Sequence, residues 1–220
     1  MRYEEKDNTY YSNIRLDLLS LLPKDSSNLK VLEVGAGTGA TLSYLKEQKI
    51  AAEVVGVDIP ESKVNSIPST IDKFIYGDAE SLDLSEYDNY FDCIIFADVL
   101  EHLVHPKELL IKLKTLLKDE GCILISIPNI RHKKALYKIF IKGNFSYEES
   151  GLFDYTHLRF FCKKNIKQLV SDGGYEIEQM VSSLKTYNKP SSSKILNTIT
   201  FRIFEEFLSV QYLVKAKKSN

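Results

Sequence analysis

The sequence predicts an α/β fold in which a mostly parallel sheet is covered by helices on both faces. Apolar runs of strand length alternate along the chain with segments of helical periodicity. These runs are apolar at consecutive positions, which is typical of strands that are buried on both faces. The run at residues 31–34 leads into a glycine-rich turn and then a helix, an order that opens nucleotide-binding α/β folds.

The composition indicates a globular domain that needs no disulfide or metal to fold. The 220 residues are 44% hydrophobic, and 29 basic side chains balance 30 acidic ones, so the net charge favours neither nucleic acid nor membrane. The three cysteines form no CxxC pair, and we interpret them as buried, reduced thiols. The N-terminus lacks a signal-peptide core, and no apolar run reaches the ~18 residues of a membrane span. We therefore expect a cytoplasmic protein.

The first predicted element is an amphipathic helix over residues 12–22. Ile14, Leu18 and Leu21 share one face of this helix, and Pro23 ends it. We expect this helix to act as an N-terminal cap on the domain that follows.

Four apolar runs predict the strands that follow the glycine-rich turn. They occupy residues 54–59, 74–78, 91–97 and 122–129. The third of these runs continues into the start of a helix. Pro106 opens another helix, which we expect to end at Gly121.

The alternation of strands and helices changes after residue 129. The later segments predict a basic amphipathic helix (132–143), an irregular aromatic stretch (144–161), a helix, turn and strand (163–177), a helical segment (195–207) and a last strand (209–218). We divide one domain, residues 1–220, into an N-terminal cap (1–28), a cofactor-binding half (29–129), an acceptor-side lid (130–162) and a C-terminal part of the sheet (163–220).

The turn after the first strand is suited to holding a ligand against bare backbone. Gly35, Gly37 and Gly39 can adopt positive φ, and they present no Cβ to a ligand. The pattern also satisfies the dinucleotide fingerprint, so it narrows the ligand only to an adenosine-bearing cofactor.

Acidic residues follow the predicted strands and favour an adenosine site. Asp58 lies about twenty residues beyond the glycine turn, where a carboxylate can accept hydrogen bonds from ribose hydroxyls. Asp78 can accept from the exocyclic amine of adenine, and the backbone N–H of Ala79 can donate to the ring. Glu33 is buried in a strand, where an unpaired carboxylate is costly, so it either accepts from loop N–H groups or faces the ammonium group of a ligand.

The segment after the fourth strand allows two interpretations. On a helix, Asp98 would share a face with Glu101 or His102, and this set could hold a divalent metal. We favour the other interpretation, in which Asp98 caps the helix and its neighbours pack at the sheet edge.

These motifs, in the order in which they occur along the chain, resemble those of class I S-adenosylmethionine-dependent methyltransferases. The matching segments are EVGAGTG (33–39), the acid of VVGVDI (54–59), YGDAESL (76–82), FDCIIFADVLEHL (91–103) and GCILISIPN (121–129). The resemblance implies a Rossmann-like, seven-stranded, mostly parallel sheet with an antiparallel last strand, and S-adenosyl-L-methionine as cofactor. The second half resembles a bacterial branch that carries SIPN and then GLxDxTHxRFF, here residues 151–161, and often occurs with polysaccharide biosynthesis.

The resemblance also implies which residues contact the cofactor. Glu33 and the glycine turn would line the methionine part, Asp58 the ribose and Asp78 the adenine, while Ala97 and Asp98 would close beside the sulfonium. The full set comprises Tyr11, Glu33, Gly35, Ala36, Gly37, Asp58, Ile59, Asp78, Ala79, Ala97 and Asp98.

The chemistry of methyl transfer then requires alignment of an acceptor and, for a hydroxyl, removal of its proton. His157 is the candidate general base, with Asp154 as its orienting partner. Some relatives with a Glu-His pair use a metal instead, for which the ligands here would be Asp98, Glu101, His102 and His157.

Three functions remain open from the sequence. The first is O-methylation of a small-molecule or glycan acceptor. The second is a nicotinamide-dependent oxidoreductase that uses the same glycine turn, and the third is a non-catalytic protein that binds S-adenosylmethionine. Methylation of nucleic-acid amines is disfavoured, because residues 97–99 lack the Asn/Asp-Pro-Pro-aromatic run of those relatives.

Overall fold

The computed structural model describes residues 13–60, 66–186 and 192–219, and its central feature is a seven-stranded sheet. The strands are β1 (Leu29–Val34), β2 (Ala51–Asp58), β3 (Lys73–Tyr76), β4 (Phe91–Ala97), β5 (Leu117–Pro128), β6 (Tyr175–Ser182) and β7 (Gln211–Lys218). Their order across the sheet is β3-β2-β1-β4-β5-β7-β6. β7 pairs antiparallel with both β5 and β6, and all the other neighbouring strands pair in parallel, which confirms the predicted architecture.

Helices cover both faces of the sheet. They are α1 (Leu16–Leu19), α2 (Ala40–Glu47), α3 (Pro106–Leu113), α4 (Lys133–Leu136), α5 (Lys163–Asp172), α6 (Ser183–Thr186), α7 (Ser192–Ile199) and α8 (Glu205–Leu208). Leu18 and Leu42 bring α1 and α2 into one apolar core, whereas Leu110 and Ile166 bring α3 and α5 into the other. None of the helices in the described ranges is long and apolar enough to cross a membrane.

The N-terminal helix is shorter than predicted. Helical geometry is confined to α1, and the side chain of Ile14 is 44% exposed instead of sharing a buried face with Leu18 and Leu21. The backbone N–H of Arg15 donates to the Thr41 hydroxyl, so the chain before α1 is tied to α2.

The helix after Pro106 ends earlier than predicted, because β5 begins at Leu117. Leu117 pairs with Phe91, and the register then shifts before Cys93. Gly121 therefore lies inside the strand, where a Cβ would be 2.9 Å from the carbonyl oxygen of Lys118. Glycine permits this close approach, so it serves the strand pairing and does not end the helix.

Two later segments are helical with interruptions. The run predicted at 132–143 begins as α4 and continues as a π-helical turn over Tyr137–Ile141. The run predicted at 195–207 breaks between α7 and α8, where Phe201 and Arg202 have positive φ.

Candidate active site

A cavity of about 910 Å³ opens at the carboxyl ends of the parallel strands. All the predicted cofactor residues that the structure describes line it: Glu33, Gly35, Ala36, Gly37, Asp58, Ile59, Asp78, Ala79, Ala97 and Asp98. Tyr11, the remaining one, lies outside the described residues. His102 also lines this cavity, whereas Asp154 and His157 are not part of its wall.

The glycine turn lies directly beneath the cavity. Gly35 and Gly37 have φ values of 72° and 54°, and the N–H of Gly35 donates to the carbonyl of Val57 at 2.8 Å. A Cβ on Gly35 would stand 2.4 Å from the Cγ2 atom of Val99. This position therefore needs glycine both for its backbone conformation and for space.

Two carboxylates stand beside the turn at the ends of β2 and β3. Asp58 accepts hydrogen bonds from the backbone N–H groups of Gly37 and Ile59. Asp78 accepts from the N–H of Glu80 at 2.9 Å. These bonds fix both carboxylates at the wall of the cavity, on the β2 and β3 side of the glycine turn.

Glu33 is buried at the end of β1, and its Oε2 atom has no hydrogen-bond partner among the described residues. Burial raises the pKa of Glu33 to about 8, although the nearby Arg15 charge and a hydrogen bond with Thr41 act in the opposite direction. The Asp58 charge adds to the rise. A cation in the cavity would therefore find a carboxyl group that its charge can ionise.

Asp98 forms a polar network that local sequence patterns do not predict. Arg15 donates through Nη1 to Asp98 and to Ser126 Oγ, while Ser126 Oγ donates to Asp98 Oδ1 at 2.9 Å. Gln211 Nε2, from β7, donates to the same oxygen at 2.9 Å. The one available signal was the polar Ser126 within the apolar run of β5.

The favoured prediction that Asp98 caps a helix is wrong. Asp98 has φ of 57°, and the chain beyond it forms only one 3₁₀ turn, Leu100–His102, whose N-cap residue is Val99. A left-handed residue at the end of β4 turns the chain sharply across the cavity. The Asp98 carboxylate then faces Arg15, and it does not join the cluster that contains Glu101.

Glu101, His102 and His157 form this cluster, which we call the carboxylate–imidazole cluster. One potential ligand atom from each lies within 4.8 Å of those of the other two. Glu101 is 1% exposed, and neither of its carboxylate oxygens has a hydrogen-bond partner among the described residues. Burial, and secondarily the charge of Asp98, raises the pKa of Glu101 well above its usual range.

Backbone carbonyls hold the two imidazoles of the cluster. Nδ1 of His102 lies 3.1 Å from the carbonyl oxygen of Thr156, and Nδ1 of His157 lies 3.3 Å from that of Leu152. The ring centroids are 4.7 Å apart. Asp154 accepts from both the N–H and the hydroxyl of Thr156, so it shapes the turn that carries His157.

Hydrogen bonds also attach the segment after residue 130 to the cavity. The backbone N–H groups of Leu158 and Arg159 donate to the carbonyl of Glu101 at 2.9 and 3.0 Å. Leu158 itself lines the cavity. The predicted lid therefore contacts the cavity wall through its last residues.

The fold and this site define an S-adenosylmethionine-dependent methyltransferase. The chain belongs to the family whose model is described as a methyltransferase domain, which matches residues 3–180. This membership favours the methyltransferase prediction over the nicotinamide-dependent alternative.

Individual proteins of known name also resemble this chain in sequence or in fold. The ubiquinone biosynthesis O-methyltransferase of Rickettsia bellii (strain OSU 85-389) is 25% identical over 211 residues, which cover 89% of this chain and 78% of that protein. The carboxy-S-adenosyl-L-methionine synthase of Nautilia profundicola is 25% identical over 182 residues, covering 76% and 77%. The structure of a SAM-dependent methyltransferase from Archaeoglobus fulgidus has a TM-score of 0.64 at 22% identity, covering 96% and 95%, and it shows the shared fold.

Proposed function

We propose that this protein transfers a methyl group from S-adenosylmethionine to a hydroxyl group of a small-molecule acceptor. The observation that carries the proposal is the chemical asymmetry of the cavity. Asp58 and Asp78 line it on the β2 and β3 side of the glycine turn, whereas His102 lines it on the β4 side. The first side suits an adenosine group and the second suits an acceptor. The O-methyltransferase names of the curated relatives agree with this choice.

In this proposal, each part of the cofactor has a partner of matching chemistry. Asp58 accepts from the ribose hydroxyls, and Asp78 with Ala79 recognises the edge of adenine. Glu33 would hold the ammonium group of the methionine part, since its Oε2 atom, which has no partner among the described residues, is buried at the cavity wall. Ala97 and Asp98, at the end of β4, would line the part of the cavity beside the sulfonium.

The carboxylate–imidazole cluster activates the acceptor in this proposal. A carboxylate and two imidazoles within 4.8 Å fit a divalent cation, and the Nδ1–carbonyl contacts of His102 and His157 match the support that metal-bound histidines receive. A separate cavity of about 10 Å³ is lined by Glu101 and His157 and not by His102. A cation held by all three side chains of the cluster would lower the pKa of an acceptor hydroxyl that reaches it past His102.

The side chains around the cavity position the acceptor and exclude water from it. His102 brings the cluster to the cavity wall, and Leu158 adds an apolar contact beside it. Because the sulfonium methyl is already activated, alignment of the acceptor oxygen with it supplies much of the rate enhancement. The alternative mechanism is that His157 acts directly as the general base. Removal of the cation with a chelator separates the two mechanisms, because only the metal-dependent one would lose activity.

The test begins with calorimetric titration of the protein with S-adenosylhomocysteine, and with NADH in parallel. We expect binding of the first and none of the second. A panel of phenols, hydroxy acids and sugars is then screened for transfer of radiolabelled methyl groups. We expect His102→Ala to abolish transfer and to retain cofactor binding. His105→Ala, an exposed histidine at the start of α3, is the matched control and should remain active.

Two results would overturn the proposal. Transfer to nitrogen or carbon acceptors alone would change the reaction class. Cofactor binding without transfer to any acceptor would favour a non-catalytic role.

A further inference from the structure

Large apolar side chains lie exposed on two segments that do not line the cofactor cavity. On the π-helical turn, Phe140 and Ile141 are 76% and 72% exposed, and at the break after α7, Phe201 is 89% exposed. We extend the two segments to residues 133–142 and 192–204 and call their exposed side chains together the apolar–basic surface. Its apolar members are Tyr137, Phe140, Ile141, Ile195, Leu196, Ile199, Phe201, Ile203 and Phe204.

The two segments of this surface are joined to each other. Lys133, at the start of α4, donates through Nζ to the hydroxyl of Ser193 in α7 at 3.0 Å. Arg131 forms an ion pair with Glu206 and lies over the ring of Phe207 at 4.8 Å. Both ends of the segment from α7 to α8 are therefore attached to the beginning of α4.

The orientation of α7 is opposite to that of an ordinary surface helix. Ile195, Leu196 and Ile199 form its apolar stripe and are exposed, whereas the polar Asn197 is buried. Amphipathic helices normally turn the apolar stripe toward the core. Monomeric proteins rarely expose large contiguous apolar patches, so an apolar stripe facing outward indicates a surface that another body covers.

The charges around the apolar side chains indicate what covers them. Exposed basic residues accompany the apolar ones on both segments: Lys133, Lys134, Lys142 and Arg202. Of the neighbouring acidic residues, Glu148 and Glu206 form ion pairs with Lys138 and Arg131. Glu149 and Glu205 are the remaining acidic residues here, so the four exposed basic side chains still leave an excess of positive charge. A second copy of the chain would bring like charges together here, whereas an anionic partner would complement them.

We propose that the apolar–basic surface binds the face of an anionic lipid bilayer. The aromatic and aliphatic side chains would enter the boundary between headgroups and acyl chains, while the lysines and Arg202 contact lipid phosphates. Such binding places the protein on the membrane and needs no spanning helix. It also leaves the cofactor cavity unblocked, because none of the apolar members of the surface lines that cavity.

Cosedimentation with lipid vesicles tests the proposal. The full chain is mixed with vesicles of phosphatidylcholine alone and of phosphatidylcholine with phosphatidylglycerol. We expect binding to the mixed vesicles, weakened by added salt because part of the attraction is electrostatic. We expect the double variant Phe140→Ser/Ile141→Ser, and separately Ile199→Ser/Ile203→Ser, to weaken binding at least about tenfold, since each removes two side chains from the bilayer boundary.

The matched control is Ile111→Ser, which removes an exposed isoleucine from α3 and should bind vesicles as the parent does. Binding of S-adenosylhomocysteine by every variant establishes that each has folded. Absence of vesicle binding, or equal binding by all variants, would overturn the proposal. A dimer in light scattering that both double variants dissociate would identify a second copy of the chain as the occupant and would also overturn it.

Discussion

The Nε2 atom of His157 lies 4.0 Å from the Oε1 atom of Glu101, and both side chains are buried. A carboxylate without hydrogen bonds in such a position is costly unless a positive charge compensates it. This relationship joins the turn after β4 to the segment that begins after residue 130. The carboxylate–imidazole cluster is therefore the first site at which we would test for a bound cation.

Glu101→Gln should weaken the binding of a divalent cation. The substitution keeps the size of the side chain and removes the negative charge that a cation requires. We expect the parent protein, after treatment with a chelator, to bind manganese or zinc in calorimetry, and the variant to bind at least about tenfold more weakly. Glu108→Gln, on the exposed side of α3, is the control.

Equal cation binding by the parent and Glu101→Gln would contradict the cluster as a metal site. If methyl transfer survives chelation but is lost in His157→Ala, direct proton transfer to His157 would replace the metal in the proposal.

Asp58→Asn should weaken the binding of S-adenosylhomocysteine by about tenfold to a hundredfold. Hydrogen bonds to a charged group contribute about 1.5–3 kcal/mol, and this carboxylate also holds the N–H of Gly37 in the turn. Calorimetry measures the change. Asp119→Asn removes an exposed carboxylate in β5 and should leave the affinity unchanged. An unaltered affinity in Asp58→Asn would refute its role in cofactor binding.

Gly35→Ala should destabilise the protein more than Gly151→Ala does. Both glycines have positive φ, of 72° and 85°, so each substitution costs roughly 1–2 kcal/mol in backbone conformation. At Gly151 nothing lies within 4 Å of the added Cβ, whereas at Gly35 it meets Val99 at 2.4 Å. Urea unfolding measures the loss of unfolding free energy in each variant, and the difference between the two losses isolates the steric contribution at Gly35. Equal losses of unfolding free energy would show that Val99 moves aside freely.

Glu33 should make the apoprotein less stable as the pH rises. Its pKa is raised from 4.5 to about 8, so the folded state binds more protons than the unfolded state between these values. The free energy of unfolding therefore falls as the pH increases through this range, by an amount on the order of a few kcal/mol. Urea unfolding at pH 5 and pH 8 measures the slope, and Glu33→Gln should make it less steep, while Glu101, whose pKa is also raised, keeps part of the fall. An equally steep slope in the variant would assign the effect to other groups.

The sequence could predict the parts of the site that local patterns encode. Gly35, Asp58 and Asp78 each follow a strand, and parallel strands bring their carboxyl ends to one edge, so the juxtaposition of these residues follows from topology. The patterns could not predict the left-handed conformation of Asp98, because a helix start and a sharp turn have similar composition there. Its ion pair with Arg15 depends on that conformation.

The carboxylate–imidazole cluster was only partly predictable. Glu101, His102 and His157 are three of the four residues in the less favoured metal interpretation, and the structure leaves the fourth, Asp98, outside their cluster. No periodicity locates the turn after residue 150 relative to the turn after β4. Their contact depends on the hydrogen bonds that Leu158 and Arg159 donate to the carbonyl of Glu101, and such long-range bonds leave no local signature.

The position of β7 between β5 and β6 has a consequence for biosynthesis. During translation, β5 and β6 are made before the strand that separates them, so each has an unpaired edge until residues 211–218 leave the ribosome. The same strand supplies Gln211 to the Asp98 network. A nascent chain therefore lacks both a continuous sheet and Gln211 in the cavity wall until β7 emerges, and its unpaired edges expose it to aggregation and to chaperones during this interval.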